Sequence, residues 1–195
     1  MLVVRRDDVG AAALARMRRA GVVRALTDDA GAAPSPVPWT VARAIALAAW
    51  IPRKAAATGL AALWVHGLTR DALAPAHVEV VVPRGAHPDP PSGVASSRWS
   101  FTTHQTVYSR AVLVAGVRIA RPADAVASAL RTARLADAIP AAYRTVASGL
   151  ATTQQLYTAV SGPQSADARS RAQHALRAVQ EALEASRTNG GGVRR

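Results

Sequence analysis

Cysteine is absent from these 195 residues. That excludes disulfide staples and thiolate metal sites, and makes a reducing, cytoplasmic setting the natural expectation. Lysine is nearly absent too: Lys54 is the sole one, and the basic side is otherwise all arginine. Acidic residues number 12 against 24 basic ones, for a net charge of +12. Long apolar runs are also missing. The stretch Ala44 to Ile51 falls far short of the roughly 20 residues a membrane span requires, and no basic-apolar-small signal pattern follows Met1. An unsecreted protein with no membrane contact is therefore expected. An alanine and arginine bias is also what a GC-rich genome imposes, so charge by itself does not establish a nucleic-acid partner; where the arginines lie decides.

Several chemistries lack their residues as well. There is no glycine-rich phosphate loop, no histidine pair at metal spacing, and no serine in a nucleophile elbow. His77 with Glu79, and His87 with Asp89, are i, i+2 pairs of the kind that arises by coincidence on a surface. A nuclease needs an acid followed two positions later by lysine on a strand, to hold a divalent ion and activate water. Here Glu79 is followed at that spacing by Val81. No enzymatic function, cofactor or metal is expected.

What the chain does have is half its residues hydrophobic, enough for a buried core. Its N-terminal part concentrates charge: Arg5, Arg6, Arg16, Arg18, Arg19 and Arg24 stand against Asp7 and Asp8. Asp7 or Asp8 can cap a helix, and Leu14 and Met17 give helical apolar spacing from Gly10 to Ala20, which leaves Arg16 and Arg19 on the opposite face. Gly21 stops the helix. Val22 to Leu26 then predicts a short strand before the turn Asp28-Asp29-Ala30-Gly31. Helix, glycine, strand and turn make the back half of a winged helix-turn-helix, a module that puts a helix in the major groove. All six arginines are candidate DNA contacts, because guanidinium is always charged and binds phosphate with two donors.

The proline-rich stretch Ala32 to Pro38 marks a boundary, dividing a 1–38 module from an α+β domain at 39–187 and a disordered tail at 188–195. A largely buried helix is predicted from Val41 to Trp50, and another from Ala55 to Leu68 that ends at His66-Gly67. His66 there reads as a packed residue beside Trp64 rather than a base. The valine run Val78 to Val82 predicts a strand buried on both faces. His87 to Gly93 is a proline-rich loop, and Arg98 to Phe101 a strand with Trp99 and Phe101 inward. Ala115-Gly116 sits at a hairpin turn between Val112–Val114 and Val117–Ile119. Four helices follow: one entered at Arg121-Pro122, one from Leu135 to Ala147, one capped at Thr152 or Thr153, and one opened by Ser165. The predicted class is α+β: a degenerate N-terminal winged helix-turn-helix, then a small, mostly antiparallel sheet packed with helices, then a helical C-terminus.

The segment Leu60-Ala-Ala-Leu-Trp-Val-His-Gly-Leu68, followed by Val78-Glu-Val-Val-Val-Pro-Arg-Gly85, resembles the AbiEi-type antitoxins of bacteria. Val114 to Pro122 looks like that family's strand leading into a helix, and Met17 to Leu26 is similar to the end of its winged helix-turn-helix. The sequence departs from the family in leaving almost no room for the first winged-helix element in Met1 to Gly10. It also carries Ala123-Asp124 where the family has Arg-Thr. The resemblance implies an antitoxin that binds operator DNA at its own operon and counteracts a nucleotidyltransferase toxin, as in the actinobacterial Men-type systems. The alternative is a stand-alone winged-helix regulator with no toxin partner. The sequence marks no toxin-binding surface.

Overall fold

The computed structural model describes residues 3–70, 74–89, 91, 94–162 and 165–190. The fold is α+β, with two small sheets surrounded by helices. None of the described helices is long and apolar enough to cross a membrane.

The described residues begin with a strand, β1 (Val3–Arg5), in a segment for which the sequence predicts no strand. A single turn, α1 (Arg6–Val9), and then α2 (Ala11–Arg19) follow, separated by Gly10. Gly21, at φ +70°, ends the helical stretch and turns the chain toward β2 (Arg24–Ala25) and β3 (Ala30–Ala32). These strands form an antiparallel sheet of order β1-β3-β2. Ala30 and Gly31, expected in the turn, pair as strand instead. The turn tightens to Thr27–Asp29, where Thr27 Oγ1 donates to Asp29 Oδ1 at 2.6 Å and the Asp29 amide donates to Thr27 Oγ1 at 3.3 Å. Gly31 allows the close approach this needs, since a Cβ there would stand 2.9 Å from Val23 Cγ2.

One face of this sheet holds a small cluster, Val4, Leu14 and Val23, under α2. The other face, with Leu26, Ala30 and Ala32, belongs to the main core. The proline segment after β3 leads into α3 (Trp39–Leu47), which a short 3-10 turn extends to Trp50. Arg5 Nη2 donates to the Ile45 carbonyl at 2.7 Å, tying β1 to α3.

The larger sheet contains β4 (Ala56–Ala57), β5 (Val78–Val82), β6 (Trp99–Thr103), β7 (Val112–Val114) and β8 (Val117–Ile119), in the order β6-β5-β4-β8-β7. Pairs β4–β5 and β7–β8 are antiparallel, whereas β5–β6 and β4–β8 are parallel. The sheet is thus mixed rather than mostly antiparallel. Apolar runs report burial and not strand partners, and the long excursion from 83 to 98 supplies the crossover that a parallel pair needs. Alanines 56 and 57, expected in a helix, form the central strand because both are fully buried between neighbours, where small side chains fit. The helix predicted from Ala55 therefore starts later, as α4 (Gly59–Val65).

A short helix, α5 (Gln105–Arg110), precedes the hairpin. Then come α6 (Pro122–Thr132), entered through Pro122 as predicted, α7 (Leu135–Ala147), α8 (Thr153–Val160) and α9 (Ala166–Gly190). Thr152 caps α8, its Oγ1 accepting from the Gln155 amide. The core gathers Trp64, Leu63, Leu47, Ile119, Leu130, Leu156 and Leu176, all buried. Trp99 is buried, but Phe101 is exposed, because β6 is an edge strand; it rests edge-on against the His87 ring, with centroids 6.2 Å apart. Asn189 and Gly190 continue α9, and the rest of the predicted tail lies outside the described residues. So do Pro90, Ser92 and Gly93 of the predicted loop; His87 to Asp89 and Pro91 have no regular structure.

Candidate functional site

The fold gives the six N-terminal arginines different surroundings. Arg18 sits against the β2–β3 turn and holds it closed: Nη2 donates to the carbonyls of Thr27 at 2.7 Å and Ala30 at 3.0 Å, and Nη1 to that of Asp28 at 3.2 Å. Arg5 is committed to Ile45. Both are half-buried, and their guanidinium groups satisfy backbone acceptors. Arg6 is exposed and reaches the Asp28 carbonyl at 3.3 Å. Arg24, also exposed, stacks on the Trp39 ring, its Cζ 5.2 Å from the centroid.

Arg16 and Arg19 remain. Both are exposed, and neither side chain makes a hydrogen bond or ion pair among the described residues. With Ala12 and Ala15, which are exposed too, they occupy positions i, i+3, i+4 and i+7 of α2. That spacing places all four on one outward helical face, two small side chains followed by two free cations.

Trp39 and Arg43 had no mark in the sequence reading. They lie four residues apart on α3, hence on one face, and a tryptophan at the first turn of a helix with an arginine one turn on is the signal that would have found them. Arg43 stacks over Trp64 at 5.1 Å and donates from Nη1 to the Trp64 carbonyl at 2.7 Å. Burial lowers its pKa, and the positive charge of Arg24 lowers it further. Among the described residues neither Arg24 nor Arg43 pairs with a carboxylate.

Acids are placed elsewhere. Glu79 is buried on β5 and accepts from Ser128 Oγ at 2.7 Å and Thr132 Oγ1 at 2.8 Å. Asp124, buried at the start of α6, pairs with both its oxygens 3.1 Å from Arg110 Nη2. His77, two residues before Glu79, shares a hydrogen bond with Ser100 Oγ at 2.7 Å instead of pointing at that carboxylate. His66 Nε2 donates to the Ala120 carbonyl at 2.9 Å, a packing role, and burial is the main cause that lowers its pKa. Among the described residues no group of three or more His, Cys, Asp or Glu side chains is placed to hold a metal ion. The surface offered by α2 and α3 is thus suited to binding anions and flat rings.

No protein-family model matches the chain, and no curated protein does. Among solved structures it is similar to the crystal structure of RV2827C protein from Mycobacterium tuberculosis, with a TM-score of 0.48 and 17% sequence identity, over 92% of this chain and 72% of that one.

Proposed function

We propose that this protein is a DNA-binding antitoxin. It contacts operator DNA through its N-terminal unit and counteracts a nucleotidyltransferase toxin through its larger domain. The observation that carries the DNA-binding part is the α2 face, where the Arg16 and Arg19 side chains are exposed, without partners among the described residues, beside Ala12 and Ala15. Small side chains let the helix approach the groove floor while the arginines reach phosphates or base edges. The order β1-β3-β2, with two helices between β1 and β2, supports reading these elements as the strand-helix-helix-hairpin part of a winged helix, with the Thr27–Asp29 turn as a short wing.

The antitoxin part rests on the resemblance at Leu60 to Leu68 and Val78 to Gly85. Trp64 within it is buried and His66 is bonded to the Ala120 carbonyl, so neither is assigned to toxin contact. Two experiments test the two halves. Duplex DNA from the chain's own promoter, titrated at several salt concentrations, should bind less tightly to Arg16→Ala/Arg19→Ala, with the log–log salt slope reduced by roughly 0.9 per lost phosphate contact. Co-expression with the adjacent reading frame should rescue growth from its toxicity. A harmless neighbour, or no rescue, leaves a stand-alone DNA-binding regulator.

A further inference from the structure

Between β2 and the segment leading into α3 lies a groove of about 490 Å³, lined by Val23, Ala32, Pro34 and Val37 with Arg24 and Trp39. Its chemistry is unusual for a surface this basic. The walls are largely apolar, no acid lines them among the described residues, and the lining includes a tryptophan 41% exposed with a guanidinium carbon over its ring, 5.2 Å from the centroid. We infer that this groove receives an unpaired nucleobase, stacked against the Arg24–Trp39 pair, from a nucleic-acid strand held by the α2 face. This rests on the nucleic-acid reading above and extends it from duplex to distorted or single-stranded sites.

Three observations favour a base over other occupants. The volume and apolar walls suit a flat aromatic ring, and stacking on tryptophan and arginine planes is how unstacked bases are held irrespective of sequence. Arg24 and Arg43 repel one another and lack a carboxylate partner among the described residues, so a ligand bearing its own anion relieves a cost that a purely apolar occupant does not. A nucleotide supplies both ring and phosphate. Gly21, which ends the α2 stretch two residues after Arg19, also lines the groove, so the groove adjoins the C-terminal end of the helix that carries Arg16 and Arg19. A paired base cannot enter, since its ring edges and both faces are occupied within the duplex.

The test compares two DNA hairpins of one stem sequence, fully paired or with a single unpaired adenine, each titrated against wild-type protein and variants. Trp39 reports directly, because Trp50, Trp64 and Trp99 are buried. The bulged hairpin should bind about 5- to 140-fold more tightly, the range that stacking one base provides, and should quench the solvent-exposed tryptophan emission. Trp39→Leu should abolish the preference while keeping paired-hairpin affinity; Trp39→Phe should retain much of it, and Arg24→Ala should reduce it. Arg16→Ala/Arg19→Ala should weaken both hairpins alike and leave their ratio intact. Equal wild-type affinities for the two hairpins, or a preference that survives Trp39→Leu, overturn the proposal and leave duplex binding standing. Loss of paired-hairpin binding in Trp39→Leu overturns it too, by making the groove part of the duplex interface. A change of sedimentation with Trp39→Leu assigns the groove to a second copy of the chain. Binding of neither hairpin overturns both this proposal and the reading on which it rests.

Discussion

Glu79 Oε2 crowds the position where a side chain at residue 59 would begin: a Cβ on Gly59 would stand 2.8 Å from that oxygen. Gly59 has φ +55° and opens α4, and Glu79 is held in place by the hydroxyls of Ser128 and Thr132 on α6. Backbone and carboxylate therefore require each other. Gly59→Ala should destabilise the fold by about 1–3 kcal/mol from the backbone conformation alone, and by more from the contact, as measured by urea unfolding. Glu79→Gln should cost about 1–3 kcal/mol, because an amide nitrogen offers no acceptor to one of the two hydroxyls. An unchanged denaturation midpoint for both variants would show that the carboxylate is not held this way.

Arg18 and the Arg16/Arg19 pair should separate stability from binding. Losing the three carbonyl contacts of Arg18 should cost about 1.5–3 kcal/mol and speed amide exchange in the Thr27–Ala30 turn. Arg16→Ala/Arg19→Ala should leave the melting temperature unchanged, because neither side chain is bonded to another among the described residues. The outcome that counts against the assignment is the reverse pattern: a stable Arg18→Ala and a destabilised double variant.

His66 makes stability depend on pH. Its folded pKa lies below the ordinary 6.5, chiefly through burial. Below 6.5 the unfolded chain binds the proton first, so stability is fully present above that value and falls as the pH drops toward the lowered folded value. Denaturation midpoints of wild type and His66→Gln, compared at pH 7.5 and 5, should differ more at the higher pH. A gap that does not vary with pH would rule out His66 as the source.

Trp64 is fully buried at the centre of the recognisable motif. Trp64→Ala should cost about 3–5 kcal/mol and Trp64→Phe less, read from thermal unfolding. If instead Trp64→Ala folded normally but lost a binding activity, the motif would be a site and not a core.

Helices α6 to α9 could be read from the sequence because each has a local signal: Pro122 at the first helical position, the Thr152 cap, Gly149 at φ +73° after α7, and the 3.6-residue apolar stripe Ala172, Leu176, Val179, Leu183. The hairpin at Ala115-Gly116 had one as well. Strands β1 and β4 had none. Two or three residues are too few for periodicity, and Ala56-Ala57 has the composition of a helix.

The sequence by itself determined the class, the helical second half, the buried valine strand and the arginine-rich start, since all of these depend on composition or on contacts within a few residues. Only the tertiary structure decided how β5 and β6 pair, which arginines are free, and that Trp39 meets Arg24 beside an open groove. Those are relations between residues far apart in the chain. An arginine spent on three carbonyls, such as Arg18, and one exposed to solvent, such as Arg19, are neighbours in sequence, and only the packing of the β2–β3 turn distinguishes them.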